Sequence, residues 1–252
     1  MNDTIIFISD THFKFNSNDP REKVKRTLFL DFLRTNHGIS RLYLVGDTFD
    51  FWFEYESAIP SYFFDILGGL AELRKSGTEI MITGGNHDYW LGSFISEKLG
   101  LTILPDEVTH DIQGRKVTIN HGDILMPGDY GYKLLRMVIR SRPAIWFAKL
   151  LHPAILFRFA SWFSQTSKEF TSAGTKRNAR QLFSIAESTF FDRGNDTFVM
   201  GHVHLPGIRH FGEKTFVILG DWERHYSYLR LTGGKFSLED LQSEGKRLIE
   251  TL

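Results

Sequence analysis

The chain has 252 residues, of which 42% are hydrophobic and 24% are charged, values that exclude collagen-like, coiled-coil and disordered proteins. Its thirty basic and thirty acidic residues give a formal net charge of zero, so no overall positive charge indicates a nucleic-acid partner. Cysteine is absent, which excludes disulfides, thiolate metal sites and cysteine nucleophiles.

Helical and strand signals alternate along the first half of the chain. The first three of six short apolar runs are separated by residues 22–35 and 61–76, in which the apolar residues have helical spacing. This alternation predicts an α/β fold, with polar side chains meeting beyond the carboxyl ends of the strands. A C-terminal hairpin of 226–231 and 235–238 predicts mixed sheets. The six runs predicted as strands are 4–9, 42–45, 80–83, 116–120, 197–200 and 215–219.

Residues 128–191 break the alternation and are predicted to be a helical insertion, or lid, in a core made of 1–127 and 192–252. Ten basic and two acidic residues give 128–180 a net charge of +8. Aromatic residues such as Trp146 and Phe147 lie among them. Charges and prolines interrupt the apolar stretch, so a membrane span is not predicted. An amphipathic cap touching acyl chains or a bilayer interface is favoured over a packed lobe with a solvated basic rim.

The N-terminus lacks the basic and apolar regions of a secretory signal. We therefore expect a cytoplasmic protein, in peripheral contact with the inner face of the membrane through the lid.

Seven side chains with metal-binding chemistry follow the predicted strands. Asp10 and His12 are two apart, so at an extended strand end both are expected to point to the same side. Mixed histidine and carboxylate ligands favour Mn²⁺, Fe²⁺, Zn²⁺ or Co²⁺ over Mg²⁺ or Ca²⁺. Two such ions form the arrangement used for phosphate ester displacement. The seven residues are Asp10, His12, Asp47, Asn86, His121, His202 and His204.

These residues lie in a serial pattern: Asp-x-His, Gly-Asp, Gly-Asn-His-Asp, His and Gly-His-x-His. The pattern resembles that of the calcineurin-like metallophosphoesterases, which implies a two-sheet αββα sandwich and two divalent metal ions. Mn²⁺ is expected first, with Fe²⁺, Zn²⁺ or Co²⁺ as alternatives. The resemblance implies one ion on Asp10, His12, Asp47 and His204, and the other on Asp47, Asn86, His121 and His202, with Asp47 as the bridge.

Within this superfamily the chain is most similar to the UDP-2,3-diacylglucosamine hydrolase family of lipid A biosynthesis. The similarity lies in the aromatic-rich block 46–52, in the block 201–206 and in the insertion after His121. It implies hydrolysis of a UDP-linked lipid to UMP and 2,3-diacylglucosamine 1-phosphate, with the insertion as a lid over the lipid. Short matches also imply substrate contacts at Asp129, Tyr132, Ser167 and Lys168.

One position departs from the better-known members of that family, which carry Arg where this chain has His87. His87 could be a general acid or a donor to the phosphate, with Asp88 fixing its orientation. The alternative is a structural histidine that only positions Asn86. Asp50 and Asp123 are expected to orient ligating imidazoles.

Two other functions stay open from the sequence. One is a metallophosphodiesterase acting on a nucleotide or another soluble phosphodiester. The other is a non-catalytic scaffold of the same fold. A nucleic-acid partner is not expected, because the basic residues of the insertion are interleaved with large apolar ones. The sequence does not fix the oligomeric state.

Overall fold

The computed structural model describes residues 2–15, 18–56, 58–125, 130–159, 175–191, 194–241 and 247–248. The helices within these residues are α1 (Pro20–Thr35), α2 (Phe64–Lys75), α3 (Tyr130–Ile139), α4 (Arg142–Leu150) and α5 (Thr175–Phe190), with further helical residues at 153–159. The strands are β1 (Asn2–Ile8), β2 (Ile39–Val45), β3 (Glu79–Thr83), β4 (Thr102–Leu104), β5 (Glu107–Ile112), β6 (Arg115–Asn120), β7 (Thr197–Met200), β8 (Gly207–Phe211), β9 (Lys214–Ile218), β10 (Ser227–Thr232), β11 (Lys235–Asp240) and β12 (Arg247–Leu248).

The strands form two mixed sheets. The first has the order β12-β11-β10-β1-β2-β3-β4, and its strands β1 to β4 are parallel. The second has the order β5-β6-β7-β9-β8, with β6, β7 and β9 parallel. The predicted hairpin is present as the antiparallel pair β10 and β11. The prediction of mixed sheets is therefore confirmed.

Alternating apolar residues along β1 explain how the sheets pack. Ile6 and Ile8 face α1 and α2 in one buried cluster, whereas Ile5 and Phe7 face the second sheet in another. This period of two is the expected geometry of a strand buried on both faces. A third cluster packs α5 against the outer face of the second sheet, with Phe183 and Phe216 in contact. The layers run helix, sheet, sheet, helix, which confirms the predicted αββα sandwich.

Capping residues explain where two of the helices begin. The Asp19 side chain accepts a hydrogen bond from the backbone N–H of Arg21, and Pro20 occupies the first turn of α1. The Ser141 side chain accepts from the backbone N–H of Ala144 at the start of α4. Such caps satisfy N–H groups that have no partner within the helix.

The described parts of the 128–191 segment have different neighbours. Its C-terminal helix α5 belongs to the outer layer of the core, because it packs against the second sheet. Helices α3 and α4 and residues 153–159 are the other described parts of the segment, and together they are called here the lid. No helix among the described residues is long and apolar enough to cross a bilayer.

Candidate metal centre

The parallel strands bring the seven predicted ligands to one edge of the sandwich. Asp10 and His12 follow β1, Asp47 follows β2 and Asn86 follows β3. In the second sheet, His121 follows β6, and His202 and His204 follow β7. Because the carboxyl ends of parallel strands in two stacked sheets meet at the same edge, these side chains converge.

The first group is built around the Asp10 carboxylate. Its Oδ1 atom lies 3.1 Å from Nε2 of His204 and 3.7 Å from Nε2 of His12. The two Nε2 atoms lie 3.3 Å from each other. Three donor atoms therefore face one point, with a spacing that suits ligands of a single ion.

The second group is built around Asn86 and His121. The Asn86 Oδ1 atom lies 3.2 Å from Nε2 of His121 and 3.0 Å from Nδ1 of His202. The Asp47 Oδ2 atom lies 3.4 Å from Nε2 of His121 and 3.6 Å from Nε2 of His12. Asp47 therefore reaches both groups with one oxygen atom, which is the position of a bridging carboxylate.

The surroundings of the Asp10 carboxylate suit a bound metal ion. Its Oδ2 atom accepts hydrogen bonds from the Ser9 hydroxyl and from the backbone N–H of His202. Its Oδ1 atom is buried and faces the Nε2 atoms of His204 and His12. A buried carboxylate oxygen is costly unless a proton donor or a cation lies beside it. The donor set of carboxylates, imidazoles and one amide oxygen suits Mn²⁺, Fe²⁺, Zn²⁺ and Co²⁺.

The backbone at the strand ends corrects one expectation. Asp10 and His12 have φ of 53° and 43°, so they are left-handed and not extended. Asp47, His202 and His204 share this conformation, with φ of 51°, 66° and 60°. The conformation is unfavourable for residues with a Cβ, and such strain clusters at functional sites. The side chains converge because the chain turns sharply after each strand, not because an extended strand alternates.

Two motif glycines are required by close packing at the centre. A Cβ at Gly85 would lie 2.6 Å from the backbone nitrogen of Asp47 and against its carboxylate. A Cβ at Gly201 would lie 2.5 Å from Oδ2 of Asp10. Both positions therefore need a residue without a side chain.

Backbone and carboxylate groups orient the imidazoles from behind. The His121 Nδ1 atom lies 3.0 Å from the Val45 carbonyl, so N–H at Nδ1 donates there and Nε2 faces the centre. Asp50 Oδ1 lies 3.7 Å from Nδ1 of His12. Asp221 Oδ2 lies 3.8 Å from Nδ1 of His204. Asp50 thus lies behind an imidazole, as expected.

His87 and Asp88 have different surroundings. His87 lies within the group formed by His12 and Asp47, and its Nδ1–H donates to the Asp50 carbonyl at 3.0 Å. The other ring nitrogen, Nε2, is therefore available on the side of His12 and Asp47.

Asp88 does not hold the His87 ring. Its carboxylate is fully buried and accepts from the backbone N–H groups of Asp47, Thr48, Phe49 and Gly85. The expectation that Asp88 orients His87 is not met by this geometry, because the Asp50 carbonyl does so. Asp88 instead ties the Asp47 loop to the Asn86 loop.

Comparison with known proteins shows which family the chain belongs to. The family model described as calcineurin-like phosphoesterase matches residues 4–206. The chain belongs to this calcineurin-like phosphoesterase family. It is accordingly a metal-dependent hydrolase with the αββα fold of that family.

Similar proteins cover almost the whole chain. A UDP-2,3-diacylglucosamine hydrolase from Stenotrophomonas maltophilia is 33% identical, over 96% of this chain and 100% of its own length. A UDP-2,3-diacylglucosamine hydrolase from Porphyromonas gingivalis is 30% identical, over 96% and 99%. Among solved structures, Vacuolar Protein Sorting 29 from Cryptosporidium parvum has a TM-score of 0.48 and 16% identity, over 98% of this chain and 96% of its own.

The ionisation states at the phosphoesterase centre favour the binding of cations. Burial raises the pKa of the Asp10 and Asp47 carboxyls, but neighbouring imidazoles outweigh it and hold both pKa values well below the usual range. Burial lowers the pKa of His204, but Asp10 outweighs it and raises that pKa to about 9. Burial and the nearby His121 lower the pKa of His202 to about 4. The carboxylates are therefore ionised and His202 is neutral near pH 7.

A buried lysine beneath the centre escaped the sequence analysis. The Lys25 ammonium donates to the carbonyls of Thr11 and His12, both at 2.7 Å, and pairs with Glu22 at 2.9 Å. It fixes the backbone that carries the first group of ligands. Its position one turn into α1 gave no local signal, because a lysine on an amphipathic helix usually lies on the exposed face.

Asp123 and Tyr132 connect the lid to the centre. Tyr132 donates from its hydroxyl to Asp123 at 2.5 Å, and the Arg136 guanidinium donates to the same carboxylate at 2.9 Å. Asp123 therefore binds lid side chains, and its charge also interacts with the imidazoles of His121 and His202. Tyr132, Arg136 and Arg140 are four residues apart, a helical spacing that could have indicated this polar face.

Of the four predicted substrate contacts, Tyr132 lies in the described part of the phosphoesterase. Asp129, Ser167 and Lys168 lie outside the described residues.

Proposed function

We propose that this protein hydrolyses UDP-2,3-diacylglucosamine to UMP and 2,3-diacylglucosamine 1-phosphate with two divalent metal ions, Mn²⁺ first among them. The observation that carries the metal chemistry is the position of Asp47, whose Oδ2 atom lies 3.6 Å from His12 and 3.4 Å from His121. The substrate is supported by the names of the curated relatives, which match over nearly their full length.

The proposed ligands divide into two sets that share Asp47. Bound divalent ions supply a lowered pKa for water and positive charge beside the phosphate. The first set is Asp10, His12, Asp47 and His204, and the second is Asp47, Asn86, His121 and His202.

The reaction consumes one water molecule. A new bond forms between the water oxygen and the α-phosphorus, and the bond from that phosphorus to the oxygen of the β-phosphate breaks. One water proton is released to solvent, and the other stays on the new phosphate oxygen of UMP. The leaving oxygen belongs to a phosphate monoester with a second pKa of about 6, so it departs as an anion without a proton donor. With a proton on each ring nitrogen, His87 serves as a hydrogen-bond donor from Nε2 to the charged phosphate, while its Nδ1–H is held by the Asp50 carbonyl.

A cavity between the core and the lid supports a lipid substrate. Its volume is about 1040 Å³, and it lies between the loops after β2 and β3 and helix α4. Pockets of this size accept large ligands. Their aromatic and aliphatic side chains suit acyl chains, and the carboxylates of Glu54, Glu56 and Asp106 also line this one. The lining includes Phe53, Tyr55, Tyr89 and Trp90 from the core, and Ile145 and Lys149 from α4.

The outer surface of the lid supports contact with a lipid bilayer. Basic side chains at Lys133, Arg142 and Lys149 are exposed on the same helices as large apolar ones. Such a surface lies in the interface of anionic membranes. In this proposal the segment 128–191 is the insertion, and its lid part docks on the inner face of the membrane from the cytoplasm. The exposed apolar residues of α3 and α4 include Leu134, Met137, Val138, Trp146, Phe147 and Leu150.

Phosphorus NMR tests the proposed reaction. The purified protein is incubated with Mn²⁺ and UDP-2,3-diacylglucosamine in detergent, beside a metal-stripped sample. Metal-dependent formation of UMP and the lipid monophosphate is the expected result. Cleavage of a generic aryl phosphodiester alone would favour a soluble phosphodiester as substrate. No turnover of either compound would favour a non-catalytic scaffold.

A further inference from the structure

Arg140, directly after α3, is more buried and more fully bonded than the other basic residues of the lid described above. Its side chain is 8% exposed. Its guanidinium donates to the Asp106 carboxylate at 3.1 and 3.2 Å and to the Gly85 carbonyl at 3.0 Å. It also lies over the Tyr89 ring, 3.6 Å from the ring centre. A planar guanidinium can satisfy all these partners at once, which a lysine ammonium cannot.

The partners of Arg140 lie on two loops that carry proposed ligands. Gly85 directly precedes Asn86, and its carbonyl accepts from Arg140. Asp123 lies two residues after His121, and its Oδ2 atom is 3.6 Å from the guanidinium. Asn86 and His121 belong to the same proposed metal position, the second one. Arg140 therefore contacts the backbone next to Asn86 and the carboxylate close to His121 in the chain, which both support this position.

The first position is supported from elsewhere. Lys25 of the core donates to the carbonyls of Thr11 and His12. Each half of the centre thus rests on its own buried cation, one from α1 and one from the lid. Removing the lid cation should disturb the second half and leave the first.

We propose that Arg140 is a positioning residue that couples docking of the lid to the second metal position, holding Asn86 and His121 in place through Gly85 and Asp123. The inference rests on the proposed two-metal function. In this proposal the second metal position is complete only when α3 lies against the core. The cavity proposed for the substrate also lies between the lid and the core.

Manganese titration of the full-length protein, followed by the paramagnetic resonance of free and bound Mn²⁺, tests this role. In the variant R140Q, binding of the second Mn²⁺ is expected to weaken by about 10- to 100-fold, the usual effect of losing a group that orients ligands. Binding of the first Mn²⁺ should be unchanged. R140K should restore part of the affinity, because it keeps the charge beside Asp123. R158Q, which removes an exposed charge from residues 153–159 of the lid, is the matched control and should bind both ions normally.

A second variant is used if R140Q fails to fold. D106N removes a half-exposed partner of the guanidinium. It should weaken binding of the second Mn²⁺ as well, by a smaller factor than R140Q. If the wild-type protein binds two ions and R140Q or D106N binds them equally well, only the positioning role is overturned. Wild-type protein that binds no second ion overturns both this role and the proposed function.

Discussion

The Nε2 atoms of His12 and His204 lie 3.3 Å apart, and both face Oδ1 of Asp10. Two imidazole nitrogens at this distance need a proton or a cation between them, because two lone pairs repel. In the metal-free protein that proton is retained strongly, since Asp10 raises the pKa of His204 to about 9 against the effect of burial. Protons and metal ions therefore compete for one place.

The first prediction is that Mn²⁺ binding releases protons. Because the folded pKa of His204 lies above its unfolded value of 6.5, proton binding stabilises the metal-free fold fully below about pH 6.5, and this stabilisation is lost as the pH rises towards about 9. The rise in melting temperature on adding Mn²⁺ should therefore increase from about pH 6 to about pH 8.5. Calorimetric titration in two buffers of different ionisation enthalpy measures the protons, and equal heats would contradict the prediction.

The second prediction concerns the proposed ligands. H121A and N86A should each lower turnover by more than about 100-fold, because the loss of a ligand exceeds that of a group orienting one. Circular dichroism should show the wild-type fold. H37A, which alters an exposed histidine in the turn after α1, is the control and should keep full activity. Unchanged turnover in either ligand variant would mean that the residue binds no essential ion.

The third prediction separates the two roles open to His87. A donor to the phosphate can be replaced by arginine, which keeps its protons at any working pH, whereas a general acid cannot. H87R should therefore stay within about tenfold of wild type, and H87A should lose about 100-fold in kcat, as for other lost donors to developing charge. Mn²⁺ content should stay unchanged in both. Equal losses in H87R and H87A would instead support proton transfer.

The fourth prediction concerns Lys25. K25M removes the buried ammonium that pairs with Glu22 and binds the carbonyls of Thr11 and His12. Because Arg26 still pairs with Glu22, the loss of unfolding free energy should be at most about 3 kcal/mol, the cost of breaking a buried ion pair, measured by urea denaturation of the metal-free protein. K23M changes an exposed lysine of the same helix and should alter stability little. A loss no larger than that of K23M would show that Lys25 is not a support of the centre.

The fifth prediction tests the cavity beneath α4. I145W would fill part of the space that Ile145 lines, so it should raise KM for the lipid substrate several-fold while sparing a small aryl phosphodiester. L150W, on the exposed surface of the same helix, is the matched control. If I145W affects both substrates equally, the cavity is not the acyl site and the helix only supports the fold.

Much of the fold followed from local patterns. The runs that became β1, β2, β3, β7 and β9 are mostly continuous apolar sequences, as expected of strands buried on both faces, whereas the run of β6 alternates Val117 and Ile119 with polar residues. Strands β4, β5 and β8 were not predicted, because they are short or half-exposed and their side chains carry mixed polarity. Helix α5 was predicted as part of the insertion, but its burial against Phe198 and Phe216 depends on a surface that only the folded second sheet provides.

The sequence alone determined which residues meet at the metal centre, because each follows a strand and the ends of parallel strands gather at one edge. Only the tertiary structure decided how they are held. The left-handed backbone at Asp10 and His12, the turn of Asp88 towards backbone N–H groups and the reach of Lys25 and Arg140 depend on contacts between segments far apart in the chain. Local sequence determines which side chains are available, whereas burial, charge pairing and close approach depend on neighbours that folding brings together.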